Sequence, residues 1–215
     1  MSLTVMSHFL QPQHGFHSTL STIFALDPPL PDCSFFTLYT LPQTIIIDRH
    51  ELMDRRLSFE FWGESNLELP VFALNQTANS LLLMNATVTG ARPKQVAVDI
   101  PVHARYGEPG THPLVITIPS PTFFWGCPLS ASVSSSVFSS ESPLANSTLL
   151  SSLAYFSVPS ASSYLASLQV PVASKRDLFP VEMGTATVIL MAFLWLVNRS
   201  WRVATALQSC HLKEQ

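Results

Sequence analysis

Charged side chains are scarce in this 215-residue chain: Lys, Arg, Asp and Glu together supply 12% of it, against about 25% in an average soluble domain. The formal net charge is −3 and no basic block occurs, so nucleic acid finds no electrostatic footprint here. Glycine is thin as well, seven residues beside seventeen prolines. Neither a Walker-type loop nor a G-x-G-x-x-G turn is present, so nothing is built to cradle a nucleotide phosphate. Serine is abundant, yet no G-x-S-x-G elbow accompanies it. A D-x-D pair for holding a metal–sugar-phosphate is missing too. The three cysteines, Cys33, Cys127 and Cys210, form no C-x-x-C pair, which speaks against a zinc site. No internal repeat argues for a solenoid or propeller. No cofactor is expected.

What is present is an apolar, proline-punctuated chain, 47% hydrophobic. Strand-like runs follow one another at 15–24 (GFHSTLSTIF), 33–41 (CSFFTLYTL), 44–48 (TIIID) and 58–62 (SFEFW). More come at 81–89 (LLLMNATVT), 95–100 (QVAVDI), 114–118 (LVITI) and 123–125. Residues 27–32 (DPPLPD) can only be a loop, and 50–56 (HELMDRR) suits one helical turn. Short strands bounded by Pro or Gly predict a mainly β, antiparallel, sandwich-like domain over residues 14–128. Residues 1–13 have neither a basic start nor an apolar run long enough for a signal peptide. From residue 129 Ser dominates, and 129–180 reads as partly ordered chain with one added strand around 149–158.

One run suits a membrane. Residues 188–197 read VILMAFLWLV, and no charge falls between 183 and 197. Pro180 fits a first helical position, with Glu182 in the first turn and Arg199 and Arg202 in the last, as the helix dipole prefers. A transmembrane helix over 181–201 would span about 30 Å, and its uncharged part, about 22 Å, suits a thin bilayer such as the endoplasmic reticulum. A short tail, 202–215, follows on the cytoplasmic side. Arg199, Arg202 and Lys213 exceed Lys175 and Arg176 by one, so charge barely sets orientation. With the large domain luminal, Cys33 and Cys127 can pair across a loop of about 95 residues, worth about 4 kcal/mol. The sequons at Asn75, Asn85 and Asn146 then lie on the same side, and Asn198 at the membrane edge is out of reach. Asn85 falls within a strand, so its side chain must point outward.

Three polar clusters invite chemistry. His14 and His17 have ligand-like spacing but no third ligand nearby, so strand or surface histidines are the plainer reading. Residues 48–51 (DRHE) join acids to a base and a His, but four polar residues after a strand usually form a solvated turn. The most distinctive stretch is 100–109 (IPVHARYGEP). Pro101 interrupts a strand there, and in extended chain His103 and Arg105 share one face with Ala104 and Tyr106 on the other. An edge strand guarded by Pro and Arg is one reading. The other is a recognition edge in which His103, Arg105 and Tyr106 contact a partner, Arg and Tyr being common interface anchors.

IPVHARY resembles the P-V-H-x-R-Y core of the PIG-X family. Gly15, Phe16 and His17 resemble its G-F-H, and Cys33 followed by 41–52 (LPQTIIIDRHEL) is similar to its Cys, Pro, Asp and Glu-Leu segment. Residues 168–172 (LQVPV) resemble the tract before its anchor. Ala104 stands where members often carry Cys, so a disulfide at that place is lost; the missing signal peptide is a second departure, and it is expected to mean either a start wrongly placed at Met1 or insertion by the C-terminal helix alone. The resemblance implies a luminal β-rich domain on a single span in the endoplasmic reticulum membrane. Such a protein is the non-catalytic partner of the multi-span (PIG-M type) mannosyltransferase that adds the first mannose to the glycosylphosphatidylinositol precursor. Gly184, Thr185 and Ala186 would let the helix pack closely against a partner's helices. An adhesion or receptor-like ectodomain is the alternative, a chaperone-like protein of the endoplasmic reticulum a third, and a hydrolase using Asp48 and His50 the weakest.

Overall fold

A computed structural model describes residues 2–27, 30, 32–66, 68–69, 79–86, 94–128, 142–159 and 163–211. The chain divides into two units. The first, residues 1–108 and 112–172, is the β-rich one and carries eleven strands among its described residues. The first five are β1 (Ser2–Gln11), β2 (His17–Asp27), β3 (Ser34–Leu41), β4 (Ile45–Ile46) and β5 (Phe59–Trp62), with helix α1 (Arg49–Asp54) before β5. Then come β6 (Ser80–Ala86), β7 (Lys94–Ala104), β8 (Leu114–Pro119), β9 (Thr122–Pro128), β10 (Leu153–Val158) and β11 (Leu165–Val170). They form three antiparallel sheets in the orders β1-β2-β7-β4, β10-β9-β3-β6-β5 and β11-β8. Inner faces of all three meet in one core, with Leu20, Phe24, Ile100 and Val102 facing Phe35, Tyr39, Phe123 and Trp125. Ile116, Ile118, Leu168 and Val170 close it. This is the sandwich-like, mainly β architecture expected.

β3 (SFFTLYTL) is buried on both faces, so it reads as a continuous apolar run rather than an alternating one. Its second face, with Leu83 and Phe124, is covered by Leu144 and Leu150. Cys33 and Cys127 are disulfide-bonded; the register that pairs Ser34 with Gly126 sets them opposite each other.

Three departures from the sequence expectation have physical causes. Residues 1–13 carry no strand by periodicity, yet β1 pairs with β2 along most of its length. Its inward residues are Leu3, Val5, His8 and Leu10, and a bulge between Val5 and Ser7 breaks the two-residue period. Pro101 does not break β7. The Ala104 amide donates to Phe16, just before β2, and the Arg105 amide to Thr44 on the other side. By alternation Pro101, two residues before His103, turns its nitrogen away from β2, where no ladder bond is lost. The Ser-rich stretch is ordered over 142–159 and 163–170 and gives two strands. In β11 (LASLQV) Ala166, Leu168 and Val170 are buried, a period-two signal that its serine composition conceals.

The second unit comprises residues 109–111 and 173–215. Helix α2 (Leu178–His211) begins earlier than expected, after a 3₁₀ turn at Lys175–Asp177, so Pro180 is third in the first turn, where amides are unpaired anyway. The helix is long and apolar enough to cross a membrane. Inside it Thr185 and Thr187 donate to the Val181 and Met183 carbonyls at 2.8 and 2.7 Å, which satisfies their hydroxyls without water.

A polar chain is buried in the core. Tyr39 Oη donates to Thr22 Oγ1 (3.0 Å), Thr22 faces His8 Nδ1 (3.0 Å), and His8 Nε2 lies 3.3 Å from the Ile118 carbonyl. A carbonyl only accepts, so Nε2 holds the proton and Nδ1 accepts from Thr22. Burial lowers the His8 pKa below its ordinary value, against hydrogen bonding to the Ile118 and Pro119 carbonyls. The unfolded chain therefore binds more protons than the folded one in acid, and stability falls as pH drops below about 6.5. Thermal unfolding of the full chain in detergent should show this decline. His8→Gln should cost about 1–2 kcal/mol at pH 7.5 and flatten the profile; an equally steep one would exclude His8.

Candidate functional site

The four segments at 15–17, 48–52, 101–106 and 168–172, far apart in sequence, meet at one end of the β-rich unit. Gly15 makes the turn, at φ +110°, a region that side chains disfavour. Its amide donates to the Gln169 carbonyl (3.0 Å), and the Gln169 amide donates to Gln13 (2.8 Å). The β2–β7 register then sets His17 directly opposite His103. Their Nδ1 atoms lie 2.6 Å apart with rings edge-on.

Asp48 caps α1 by accepting the His50 amide at 2.8 Å. The cap aims Glu51 back at the histidines: its Oε2 lies 3.0 Å from His103 Nε2, and its Oε1 accepts from Arg55 at 2.9 Å. A carboxylate accepts only, so His103 Nε2 carries a proton and a single proton bridges the two Nδ1 atoms. The result is a continuous chain, Arg55–Glu51–His103–His17, beside a cavity of about 300 Å³. The side chains of His103 and Glu51 are 20% and 33% exposed. The chain ties α1 to β2 and β7.

Arg105 does something different from what its position in the sequence suggested. It lies beyond the end of β7 and is 2% exposed, so its side chain is directed inward rather than along an exposed edge. Among the described residues its guanidinium donates to four backbone carbonyls: Gln43 (3.1 Å), Asn66 (2.6 Å), Leu69 (2.9 Å) and Glu64 (3.4 Å). Burial lowers its pKa, partly offset by Glu64. One planar five-donor group thus ties the 64–69 loop to the β3–β4 turn, a task lysine's point charge performs poorly. Tyr106 is the exposed member, at 78%, with its ring 4.6 Å from Phe16.

Other expected residues fall elsewhere. His14 is exposed and bridges to Gln169, away from the His17 pair, and among the described residues no group of three or more His, Cys, Asp or Glu could hold a metal. His50 is exposed, and the carboxylate of Asp48 serves as a helix cap, not as a partner to the imidazole. Asn146 is exposed, Asn85 is half-buried within β6 rather than clear of the sheet, and Asn75 lies outside the described residues. Glu51 and Arg55 went unrecognised as partners of His103; the one signal was that three of the motif segments each hold a titratable residue.

This is a β-sandwich-like domain joined to one helix long enough to span a bilayer, with a polar knot that braces its strands. The family model described as PIG-X / PBN1 matches residues 13–201, and the chain belongs to that family. It is similar to Protein pbn1 of Schizosaccharomyces pombe, 28% identical over 87% of this chain and 57% of that protein. The same protein of Neurospora crassa is 27% identical over 97% of this chain and 44% of its own length. That of Gibberella zeae is 27% identical over 94% and 43%. The chain thus spans about half the length of these relatives.

Arg105→Lys should destabilise the domain by about 2 kcal/mol, because several carbonyls lose a charged donor. It should also speed proteolysis within residues 64–69. Thermal unfolding and limited digestion of the full chain check both effects, and an unchanged digestion rate would mean the guanidinium does not hold the loop.

Proposed function

We propose that this protein is a non-catalytic, stabilising subunit of the endoplasmic reticulum mannosyltransferase that adds the first mannose to the glycosylphosphatidylinositol precursor. Its β-rich domain is luminal, α2 is its single span, and its partner is a multi-span catalytic subunit using dolichol-phosphate-mannose. Membership of the family over residues 13–201 is the observation that carries this reading. The site supports it in a specific way. His17, Glu51, His103 and Arg105 spend their polar groups on one another and on backbone, as a scaffold's residues do. Tyr106, its ring tilted against Phe16, is the large side chain the site leaves in solvent, and an exposed aromatic is suited to anchor a protein contact.

Two outcomes follow. The purified chain alone transfers no mannose from dolichol-phosphate-mannose, and cells lacking it lose surface proteins tethered by glycolipid. Tyr106→Ala, which leaves every buried core side chain in place, should reduce recovery of the multi-span partner from detergent extracts about tenfold, equivalent to about 1.4 kcal/mol. Mannose transfer by the isolated chain would refute the assignment. Full recovery with Tyr106→Ala would remove that residue from the interface.

A further inference from the structure

β5 is the outer strand of the five-stranded sheet, and an outer strand presents unpaired backbone groups that proteins normally cover. Arg49 covers part of it, donating to the Phe61 carbonyl at 3.2 Å with its guanidinium 5.3 Å from that ring's centre. Next to it lies an open cavity of about 400 Å³ lined by Arg49, Met53, Phe59, Glu60, Trp62 and Asn146. Asn146 closes a 3₁₀ turn (Pro143–Asn146) and is exposed. The turn is held from below: Leu144 is buried, and Glu60 Oε1 accepts the amides of Thr148 (2.8 Å) and Leu149 (3.1 Å) and the Thr148 hydroxyl. The backbone at Asn146 is therefore held at the rim of the cavity, in a sequon (NST) whose hydroxyl becomes engaged once the chain has folded.

We propose that Asn146 carries an N-linked glycan whose first sugar packs into this cavity and covers the β5 edge; this rests on the luminal placement proposed above. The ring C–H face of N-acetylglucosamine is apolar and lies well on Trp62, while Arg49 meets its hydroxyls and amide. Attachment precedes folding, since Thr148 must be free when the sequon is read. The Asn146 amide nitrogen bonds to C1 of the sugar and loses one proton, and the lipid diphosphate of the oligosaccharide donor leaves. Asn85, half-buried in a paired strand, offers no such seat.

The full chain expressed in cells tests this. Asn146→Gln should remove one step of glycosidase-sensitive mobility. On the wild-type protein, trimming with an enzyme that leaves the first N-acetylglucosamine should keep Tm unchanged. Complete removal should lower it by a few degrees, and Trp62→Ala should abolish that difference while keeping the mobility step. Protease protection of the domain in intact microsomes reports topology independently. A protected domain with no mobility step at Asn146, or equal Tm values for trimmed and bare protein, overturns the proposal alone. An unprotected domain overturns the luminal placement instead.

Discussion

The pairing of β2 with β7 is the constraint on which the rest depends. It runs from Leu26 against Lys94 to His17 against His103, and it places Leu20, Phe24, Ile100 and Val102 on the core side. A slip of one residue would turn that whole set to the opposite face and would separate the two histidines. It also decides where β7 ends, and so where Arg105 enters the interior. With His103 opposite His17, the next amide bonds Phe16 and the following one bonds Thr44. That turns the guanidinium under the 64–69 loop. Sheet register, the polar knot and the loop are therefore one arrangement, set by hydrophobic alternation along two long strands.

How much of this could be read from the sequence depended on whether a signal was local. The strands over 33–41, 58–62, 95–100 and 114–118 carry β-branched or aromatic runs whose meaning needs no distant partner. β1 escaped because one bulge residue shifts the phase of its inward side chains, and β11 because Ala166 and Ser167 carry little hydrophobic contrast. The anchor was legible because a bilayer imposes length and composition on one continuous segment. The site was not. His17, Glu51 and His103 are 34 and 52 residues apart, and nothing local in G-F-H or H-E-L says that the two meet. Arg105 misled for a related reason: alternation predicts a face only while the strand lasts, and β7 stops at Ala104.

The scarcity of charge gains a structural meaning from where the charges go. Glu51 braces His103 and Arg55, Glu60 holds the 147–149 segment, Arg49 covers a strand edge, and Arg105 binds four carbonyls. Each ties together backbone segments that hydrophobic burial leaves loosely placed, because directional donors and acceptors fix orientation where apolar contact does not.

A domain that spends ionic groups on its own loops gains shape, and shape is what the proposed subunit would offer its catalytic partner. Partners associate through preformed surfaces at lower entropic cost than through mobile ones. The β2–β7 end fits that logic: backbone bonds to Gln169, the histidine pair and the Arg105 fork immobilise the ground beneath Phe16 and Tyr106. The exposed ring can then meet another surface without ordering anything first. Removing any of these supports would leave Tyr106 in place chemically while returning to the encounter the cost that the scaffold had already met.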